Sequence, residues 1–584
     1  MLKDYIGRFP KGKRRNPQFD HSGNGTKTHL FVEDMSIFLN EPIGNNDYCL
    51  KYEGNPYFLL IDGTIILDGS AITNNSSSPI KEERILRRIL ENPKKFFNAA
   101  EGNFVLVLWD IVHQRYLVSR DKMGMKNIFY AENEEGLYFS SSIRNLLEHT
   151  GVDRTLCKDS IHRYIFDHPV ANKNTIHKFI YRVEFGSFLS GSINGTSIQE
   201  RYYEIKASEH FKISSFREDF KELFIESVKN STVESDEIGI ALSGGLDSTS
   251  IASVVGKHLN KNIIGTSYIF KASDLEDEEY YIDLISQRYG IELIKIEGNN
   301  HWTFQGDIQE TIQALDEPYP IFNYHFTAHA PSLVNDRTNI YLSGLYGDQV
   351  LYGNLNYLRG LMKKGSFSSL IKEMQRWKGI YSKKELIVDY FRRNAQQESV
   401  LPEWIHSKRI NPPSYHSTEW ANYEWDEEDN VRYYMTLLKQ SSKDWTIPNV
   451  YTPNNVDIRL PFLNPKILEY LAAAPAYLKI NPKYNKYILR ESLKEELPRE
   501  IRTRKGKSTH FSFIHNGFKK EMKQLKNVYD FEILSDMGVL DPKPVKEIIA
   551  NYYMGHFDDF KYFSFIIRLL SLEIWLKPRR AYIS

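Results

Sequence analysis

The chain has 584 residues, of which 41% are hydrophobic and 26% are charged, a balance typical of a globular protein with two or more domains. Lysine plus arginine (75) equals aspartate plus glutamate (75), so the sequence lacks the basic excess that is usual in proteins that bind duplex nucleic acid. Its 2 cysteines, Cys49 and Cys157, show no metal-binding spacing, and no run of roughly 18 apolar residues predicts a membrane span. The first residues have no apolar core of a signal peptide. We therefore expect a cytoplasmic protein with reduced thiols that does not bind nucleic acid and does not span a membrane.

The first part of the chain, residues 1–205, is rich in short strand patterns. Segments such as PYFLLIDGTIIL and NFVLVLWDIVHQRYLVSRD are apolar or alternating and are bounded by Gly, Asn and Asp. ENEEG (Glu132 to Gly136) predicts a hairpin turn, and EERILRRILENPKKFF predicts a helix between the middle strands. This pattern indicates an antiparallel α+β domain.

From about Phe211 the sequence alternates between helix and strand patterns. FREDFKELFIESVKNSTV predicts a helix, EIGIALSGG a strand with a glycine turn, STSIASVVGKHL a helix, NIIGTSYIF a strand, and the alternation continues to NIYLSGLYGDQV. Such alternation is typical of a doubly wound parallel sheet of the α/β class. Beyond this sheet the sequence is helical and aromatic-rich, and we assign residues 206–584 to this second domain.

The turn ALSGGLDSTS follows a strand and begins a helix. Gly244 and Gly245 allow the backbone to approach a ligand, and the amides at the start of the helix attract a phosphate. Asp247 would repel that phosphate unless a cation bridges the two, as Mg²⁺ does with one or two carboxylates and phosphate oxygens. Asp348, in YLSGLYGDQVLYG, follows another predicted strand and is the candidate second carboxylate. A lone Asp at a helix start is commonly only a cap, but the two Gly–Asp loops together favour a nucleotide site.

SGGLDS resembles the pyrophosphate loop of the ATP-pyrophosphatase superfamily, and specifically of its asparagine synthetase group. Further segments resemble the group in order: EGNFVLVLWD and SRDKMGMKNIFYAENEEGLYFSSSIRNLL, then LDEPYP, SGLYGDQVLYG, DIRLPFLNPKILEYLAAAP, KYILRESLKEELPREIRTRKGK and RLLSLEIWL. The resemblance implies a glutaminase-like domain of the Ntn type over 1–205, followed by an ATP-pyrophosphatase domain with a helical C-terminal part over 206–584. It also implies that ATP and Mg²⁺ activate a carboxylate as an acyl-adenylate, which an amine then attacks to form an amide.

The resemblance also implies roles for individual residues. Asp247 and Asp348 would hold Mg²⁺, and the pyrophosphate would be bound by Ser243, Gly244, Gly245 and Ser248, with Gly344 and Gly347 in the second loop. A lysine beside the reacting groups would stabilise the charge that grows during the reaction; Lys507 matches best, with Lys505 as the alternative.

Three further positions are assigned with their alternatives open. Arg459 matches a family position near the active cleft. Glu373 is a weaker candidate carboxylate for activating the amine, and a solvated glutamate on a helix face is the interpretation that the sequence favours. Asn464 stands where the family has Asp, and we expect it to cap the helix that begins at Pro465.

The N-terminal domain departs from the glutamine-using members of the family, which carry a cysteine at position 2. Leu2 occupies that position here, and we expect Cys49 and Cys157 to be inert buried thiols. The domain is therefore expected not to hydrolyse glutamine, and the amine would be free ammonia or part of the substrate.

Two kinds of relative fit such a chain. An asparagine synthetase would use ammonia and aspartate, whereas lasso-peptide cyclases adenylate an Asp or Glu side chain of a precursor peptide and close a macrolactam with its N-terminal amine. The long aromatic-rich segment between Gly353 and Asp457, and the resemblance of SGGLDSTSIA and RLLSLEIWL, favour the cyclase; the β-lactam synthetases have a Tyr where Leu345 stands. The expected partners are a precursor peptide and, with it, a leader peptidase and a leader-binding protein.

Overall fold

The computed structural model describes residues 5–10, 28–32, 35–39, 49–73, 79–149, 151–165, 173–193, 195–270, 276–320, 323–378, 402, 404–405, 425–442, 456–504, 511–526, 528–556 and 562–583. The described N-terminal part contains antiparallel strands and the described C-terminal part a parallel sheet. These are the two predicted fold classes in the predicted order.

The strands of the N-terminal part are β1 (Tyr5–Pro10), β2 (Thr28–Val32), β3 (Met35–Leu39), β4 (Cys49–Tyr52), β5 (Asn55–Leu67), β6 (Ser70–Thr73), β7 (Phe104–Asp110), β8 (Arg115–Arg120), β9 (Phe129–Asn133), β10 (Gly136–Ser140), β11 (Tyr181–Arg182), β12 (Ser187–Ser192) and β13 (Ile198–Arg201). Its helices are α1 (Pro79–Glu91), α2 (Pro93–Ala99), α3 (Ile143–His149) and α4 (Lys158–Ile165).

Two stacked antiparallel sheets form this part. Their strand orders are β11-β9-β10-β1-β3-β2 and β13-β12-β8-β7-β5-β4, and β6 pairs with β5. Buried side chains from both sheets meet between them, as where Phe9 stacks on Trp109 with ring centroids 5.1 Å apart. This apolar layer is the core that the alternating strand patterns predicted.

The predicted ENEEG hairpin is confirmed, because β9 and β10 pair with Gly136 opposite Asn133. The single helix predicted for EERILRRILENPKKFF is instead two helices. Asn92 has extended backbone and its side chain accepts a hydrogen bond from the Lys95 amide at 2.9 Å, while Pro93 begins α2. Proline is favoured at the first position of a helix and disrupts a helix interior, so the Asn-Pro pair separates α1 from α2.

The second part begins with α5 (Phe216–Ser231) and continues with β14 (Glu237–Ala241), α6 (Leu246–His258), β15 (Asn262–Ile269), α7 (Glu276–Tyr289), β16 (Glu292–Glu297), α8 (Ile308–Gln313), α9 (Tyr324–Ser332), β17 (Ile340–Leu342), α10 (Gly347–Val350), α11 (Tyr357–Lys363), α12 (Phe367–Trp377), α13 (Glu427–Ser441) and β18 (Asp457–Arg459). The later helices are α14 (Pro465–Ala473), α15 (Tyr487–Ser492), α16 (Arg499–Thr503), α17 (Phe511–Leu525), α18 (Glu532–Asp536), α19 (Pro542–Met554) and α20 (Phe563–Leu576).

The sheet of this part has the order β16-β15-β14-β17-β18, and all of its pairings are parallel. The chain runs from β14 outward to β16, then crosses back to place β17 on the other side of β14. The direction of winding therefore reverses between β14 and β17. In open parallel sheets, ligands bind at the carboxyl ends of the strands at such a reversal.

The predicted C-terminal helix is α20, and most of its side chains are buried. Its interior Glu573 accepts hydrogen bonds from the amides of Ile533 (2.9 Å) and Leu534 (3.0 Å) at the start of α18, which explains a carboxylate in an apolar run. Over the described part of the chain, no helix combines the length and hydrophobicity that a membrane crossing requires.

Candidate active site

The turn after β14 has the backbone that its glycines predict. Gly244 has a left-handed φ of +64°, and a Cβ there would lie 2.9 Å from the carbonyl oxygen of Glu278. Gly245 is the N-cap of α6 and has no side chain to cap the helix, so the first amides of α6 face the turn. This combination presents backbone donors and the positive end of the helix dipole to an anion.

The hydroxyls of the turn fall into two groups. Ser243 lies on the turn and Ser248 in the first turn of α6, with their Oγ atoms 3.2 Å apart. Thr249 and Ser250 instead donate back to the carbonyls of Gly245 and Leu246, each at 2.7 Å, and are fully buried. The structure therefore leaves Ser243 and Ser248 as the hydroxyls that can bind phosphate.

The turn after β17 is packed directly against Asp247. A Cβ on Gly344 would lie 2.9 Å from the Asp247 Cβ, and a Cβ on Gly347 would lie 2.6 Å from the Asp247 Cγ. Any side chain at either position would displace Asp247. The two glycines predicted as ligand-binding residues thus allow the two loops to approach each other.

Lys486 joins the two predicted carboxylates. Its Nζ lies 2.7 and 2.5 Å from the two carboxylate oxygens of Asp247 and 2.5 Å from Oδ1 of Asp348. Each contacted oxygen of Asp247 therefore lies no farther from Oδ1 of Asp348 than the sum of the distances of those two oxygens from Nζ. The structure therefore brings Asp247 and Asp348 to one place, and their role in holding a metal stays a prediction.

The surroundings of the two carboxylates differ. The side chain of Asp247 is 8% exposed and that of Lys486 is 6% exposed, whereas 59% of the Asp348 side chain faces solvent. The site is thus a buried ion pair with a second carboxylate at its open side. A substrate phosphate could reach Asp348 without unfolding any described element.

The donor set fits Mg²⁺. Two carboxylates from neighbouring strand ends already surround a positive group, and Mg²⁺ in nucleotide sites takes one or two carboxylates together with phosphate oxygens. The N-terminus of α6 lies beside the same carboxylates. Asp247 and Asp348 are therefore the residues that would hold the ion.

The predicted catalytic lysine, Lys507, and its alternative Lys505 lie outside the described residues. The last described residue before them, Arg504, donates to the carbonyl of Gly244 at 3.1 Å and lies over the ring of Tyr281, 4.4 Å from its centroid. The chain therefore passes the phosphate turn immediately before Lys505. The role of Lys507 stays a prediction.

The sequence pattern did not indicate Lys486, although this residue begins the segment KYILRES, which resembles the family. Lys486 has left-handed backbone (φ +52°) as the N-cap of α15, so its side chain does not lie on the helix surface that the pattern predicts. The one available signal was chemical: a carboxylate that becomes buried beside a second acidic group requires a cation, and a lysine can supply it.

The guanidinium of Arg459 points away from the carboxylate pair. It contacts Asp457 at 2.8 Å and Glu234 at 3.1 Å, and it lies 3.4 Å from Oγ1 of Thr64 in the N-terminal part. Burial opposes both charges, yet the pKa of Asp457 is lowered and that of Arg459 is raised because each faces the other. The structure thus gives Arg459 an anchoring position between the two parts and does not place it with Asp247 and Asp348.

Glu373 is buried on α12 rather than solvated, so the alternative of a solvated glutamate is wrong. Its carboxylate accepts hydrogen bonds from the hydroxyl of Tyr357 at 2.9 Å and from Arg376 at 2.8 Å. The Tyr357 hydroxyl in turn accepts from the indole of Trp377 at 2.8 Å. A role of Glu373 in activating the amine stays a prediction.

Asn464 is the expected helix cap, and this prediction is confirmed: its side chain accepts from the amides of Lys466 (2.9 Å) and Ile467 (3.4 Å). Cys157 is half-buried and free, whereas a buried thiol was expected. Leu2 and the side chain of Cys49 lie outside the described residues.

Two family models match the chain. Residues 65–203 match the glutamine amidotransferase domain and residues 219–577 match asparagine synthase. The second match covers more than half of the chain and contains Asp247, Asp348 and Lys486.

Curated relatives agree with the models. A provisionally named glutamine-hydrolyzing asparagine synthetase of Mycobacterium tuberculosis is 23% identical over 68% of this chain and 65% of its own length. Glutamine-hydrolyzing asparagine synthetases 2 and 3 of Bacillus subtilis are each 20% identical, over 82% and 87% of this chain and 65% and 84% of their own lengths. The chain thus spans just under two thirds of the mycobacterial relative and of asparagine synthetase 2. From its matched domains, in the order observed here, the chain belongs to the asparagine synthase family, a family of ATP-dependent carbon–nitrogen ligases.

Proposed function

We propose that this protein is an ATP-dependent, AMP-forming amide ligase that activates a side-chain carboxylate of a precursor peptide and closes a macrolactam with the peptide's N-terminal amine. The single observation that supports a peptide is the character of the loop that carries Asp348. Leu345 is 42% exposed and Tyr352 is 39% exposed on either side of that carboxylate. Large apolar side chains exposed beside a charged site favour a substrate that brings apolar surface of its own.

The aromatic segment supports this proposal only in part. Tyr352 packs with Trp425 and Tyr433, with ring centroids 5.3 and 5.9 Å away. Trp425 and Tyr433 are buried, so they pack inward as structural residues. Tyr352 is the member of this cluster that a peptide could contact.

The proposed reaction has two steps. An oxygen of the substrate carboxylate attacks the α-phosphorus of ATP, the α–β anhydride bond breaks, and pyrophosphate leaves. The amine nitrogen then attacks the acyl carbon, the bond to AMP breaks, and the amine gives up one proton. The turn from Ser243 to Ser248 would bind the leaving pyrophosphate through the amides at the start of α6.

Lys486 is the residue that we assign to charge stabilisation in these steps. Its ammonium lies between Asp247 and Asp348, beside the turn that would bind the phosphates. A cation that is already fixed in position stabilises charge that develops on the phosphate without reorganisation. Mg²⁺, held by Asp247 and Asp348, would neutralise the phosphate oxygens that those carboxylates otherwise repel.

The second candidate function is an ammonia-dependent asparagine synthetase, which the names of the relatives favour. The two proposals differ in the carboxylate and in the amine. For the peptide, a leader peptidase and a leader-binding protein would be the expected partners.

The deciding experiment mixes the purified protein, Mg-ATP and a linear core peptide that has a free N-terminal amine and an internal Asp or Glu. We expect the peptide to lose one water with one AMP formed. The same peptide with an acetylated N-terminus should release pyrophosphate and stop at the acyl-adenylate without a ring, and the peptide with Asn or Gln in place of the acid should release no pyrophosphate. AMP from aspartate and ammonia, with none from the peptide, would replace this proposal by the asparagine synthetase.

A further inference from the structure

Helix α13 connects three parts of the molecule that are distant in sequence. It begins at the N-cap Asp426, whose side chain accepts from the amide of Asp429 at 2.9 Å, and it is followed by its C-cap Ser442. Its side chains and its C-terminal carbonyl contact the Asp348 turn, the segment before Lys486 and the N-terminal part.

The first connection is to α10, the single turn that carries Asp348. The hydroxyl of Tyr433 donates to the carbonyl of Gln349 at 2.7 Å, and that of Tyr434 donates to the carbonyl of Val350 at 2.8 Å. The last carbonyls of so short a helix have few partners within it. Burial raises the pKa of both phenols, so they remain protonated donors. The two tyrosines therefore fix the carbonyl end of the turn that carries Asp348.

The second connection is to the chain before Lys486. The buried amino group of Lys479 donates to Oδ1 of Asn430 on α13 at 2.9 Å. The backbone carbonyl of Lys479 accepts from the amide of Tyr487 at 3.1 Å, next to Lys486. Helix α13 thus contacts both the turn that carries Asp348 and the segment that precedes Lys486.

The third connection joins α13 to the N-terminal part through Arg120, which is buried. Its Nη2 donates to the carbonyl of Ser442 at 2.5 Å and to that of Gly124 at 2.6 Å. Burial lowers the pKa of Arg120 to about 9, so it stays cationic at neutral pH. A cation at the C-terminus of a helix is stabilised by the helix dipole. A Cβ on Gly124 would lie 2.7 Å from the Ser442 Cβ, so the approach is close enough to require glycine.

We propose that α13 and its two caps, residues 426–442, form a strut that fixes the positions of Asp348 and Lys486 relative to each other. Arg120 of the amidotransferase-like domain is the positioning residue of this strut. The inference rests on the Mg-ATP site of the proposed function and not on which carboxylate or amine reacts. It assigns the N-terminal domain a part in the ligase site that does not require glutamine hydrolysis.

The test measures amide hydrogen exchange of residues 347–351 in the unliganded full chain. The amides of Val350 and Leu351 are bonded to the carbonyls of Tyr346 and Gly347, so their exchange reports the opening of α10. Tyr434→Phe and Arg120→Lys should each speed this exchange by about tenfold. Tyr289→Phe is the matched control, because it removes a phenol-to-carbonyl bond to Glu496 at the end of α7.

The combined variant Tyr434→Phe with Arg120→Lys distinguishes two explanations: both residues act through α13, or each substitution has its own independent effect. Because both residues hold the same helix, the pair should exchange little faster than the faster single variant. If Arg120→Lys does not fold, Gly124→Ala, which presses on Ser442, takes its place. Exchange at 347–351 that Arg120→Lys leaves unchanged, or a pair whose accelerations multiply, would overturn the inference.

Binding of Mg-ATP gives a second readout. Tyr434→Phe and Arg120→Lys should raise the dissociation constant several-fold, by calorimetry, while Tyr289→Phe should not. If the unmodified protein does not bind Mg-ATP, the proposed function is wrong but the strut is not contradicted, because the exchange experiment tests the strut without any ligand.

Discussion

Replacing Lys486 by methionine tests the ion triad at the centre of the site. The substitution keeps an unbranched side chain, shorter by one atom, and removes the ammonium that lies 2.5 Å from both Asp247 and Asp348. Two carboxylates would then face each other across the site, and like charges at such distances disfavour ionisation.

The expected loss of stability comes mainly from Asp247. Its side chain is 8% exposed, and removing one partner of a buried pair costs about 3 to 5 kcal/mol, whereas Asp348 at 59% exposed is screened by water and adds little. We therefore expect a loss of about 3 kcal/mol, which corresponds to a fall in Tm of roughly 4 °C for a domain of this size. Activity should fall by a factor of about 10² to 10³, as when a preorganised electrostatic donor is removed.

The assay is thermal unfolding of both proteins without ligand and with saturating Mg-ATP. Because Mg²⁺ supplies the missing positive charge, the ligand should stabilise the variant more than the unmodified protein. Lys221→Met is the control. Lys221 forms an ion pair with Glu496, 2.7 Å from Nζ to Oε1, and neither residue contacts Asp247 or Asp348 in this pair. An unliganded variant as stable as the original, or a deficit that Mg-ATP does not reduce, would refute the reasoning.

Three more predictions follow from single contacts. Gly347→Ala brings a Cβ to 2.6 Å from the Asp247 Cγ. It should lower the free energy of unfolding, measured by urea titration, by about 1 to 3 kcal/mol and weaken Mg-ATP binding. Unchanged binding would argue against the close approach of the loops. Burial lowers the pKa of Lys479 from 10.5 to about 7, so between these values the unfolded chain binds more protons. The stability of the unmodified protein relative to Lys479→Met should therefore rise with pH in that window, by up to about 1.4 kcal/mol per unit, and a flat difference would contradict the shift. Arg459→Met should cost about 3 to 5 kcal/mol by breaking its buried pair with Asp457 yet leave Mg-ATP affinity unchanged, whereas a loss of affinity would restore the predicted active-site role.

The sequence was sufficient to predict the two acidic loops because local rules determine them. Strand, glycine turn and helix follow one another at both Asp247 and Asp348, and the reversal of winding in a parallel sheet brings such strand ends together. The hairpin at Glu132 to Gly136 and the Asn464 cap are equally local, since each depends on residues within one turn.

The sequence-based predictions failed where contacts between distant parts of the chain determine the position or the burial of a side chain. Lys486 reaches both carboxylates from a left-handed position far along the chain, and no periodic pattern marks it. Glu373 has the sequence surroundings of an exposed glutamate, and its burial depends on Tyr357 and Arg376. The break between α1 and α2 is different, because the Asn92–Pro93 pair that causes it is visible in the sequence. The prediction of one helix across this pair was wrong although the signal was present.

The most direct test of the central claim is Mg²⁺-dependent ATP binding by isothermal titration calorimetry in the unmodified chain and in Asp247→Asn and Asp348→Asn. If the two carboxylates hold the metal, the unmodified protein will bind ATP with Mg²⁺ and lose most of its affinity in EDTA, and each variant will bind weakly under both conditions. Full Mg²⁺-dependent affinity in both variants would mean that the metal is held elsewhere, and the assignment of this site would be wrong.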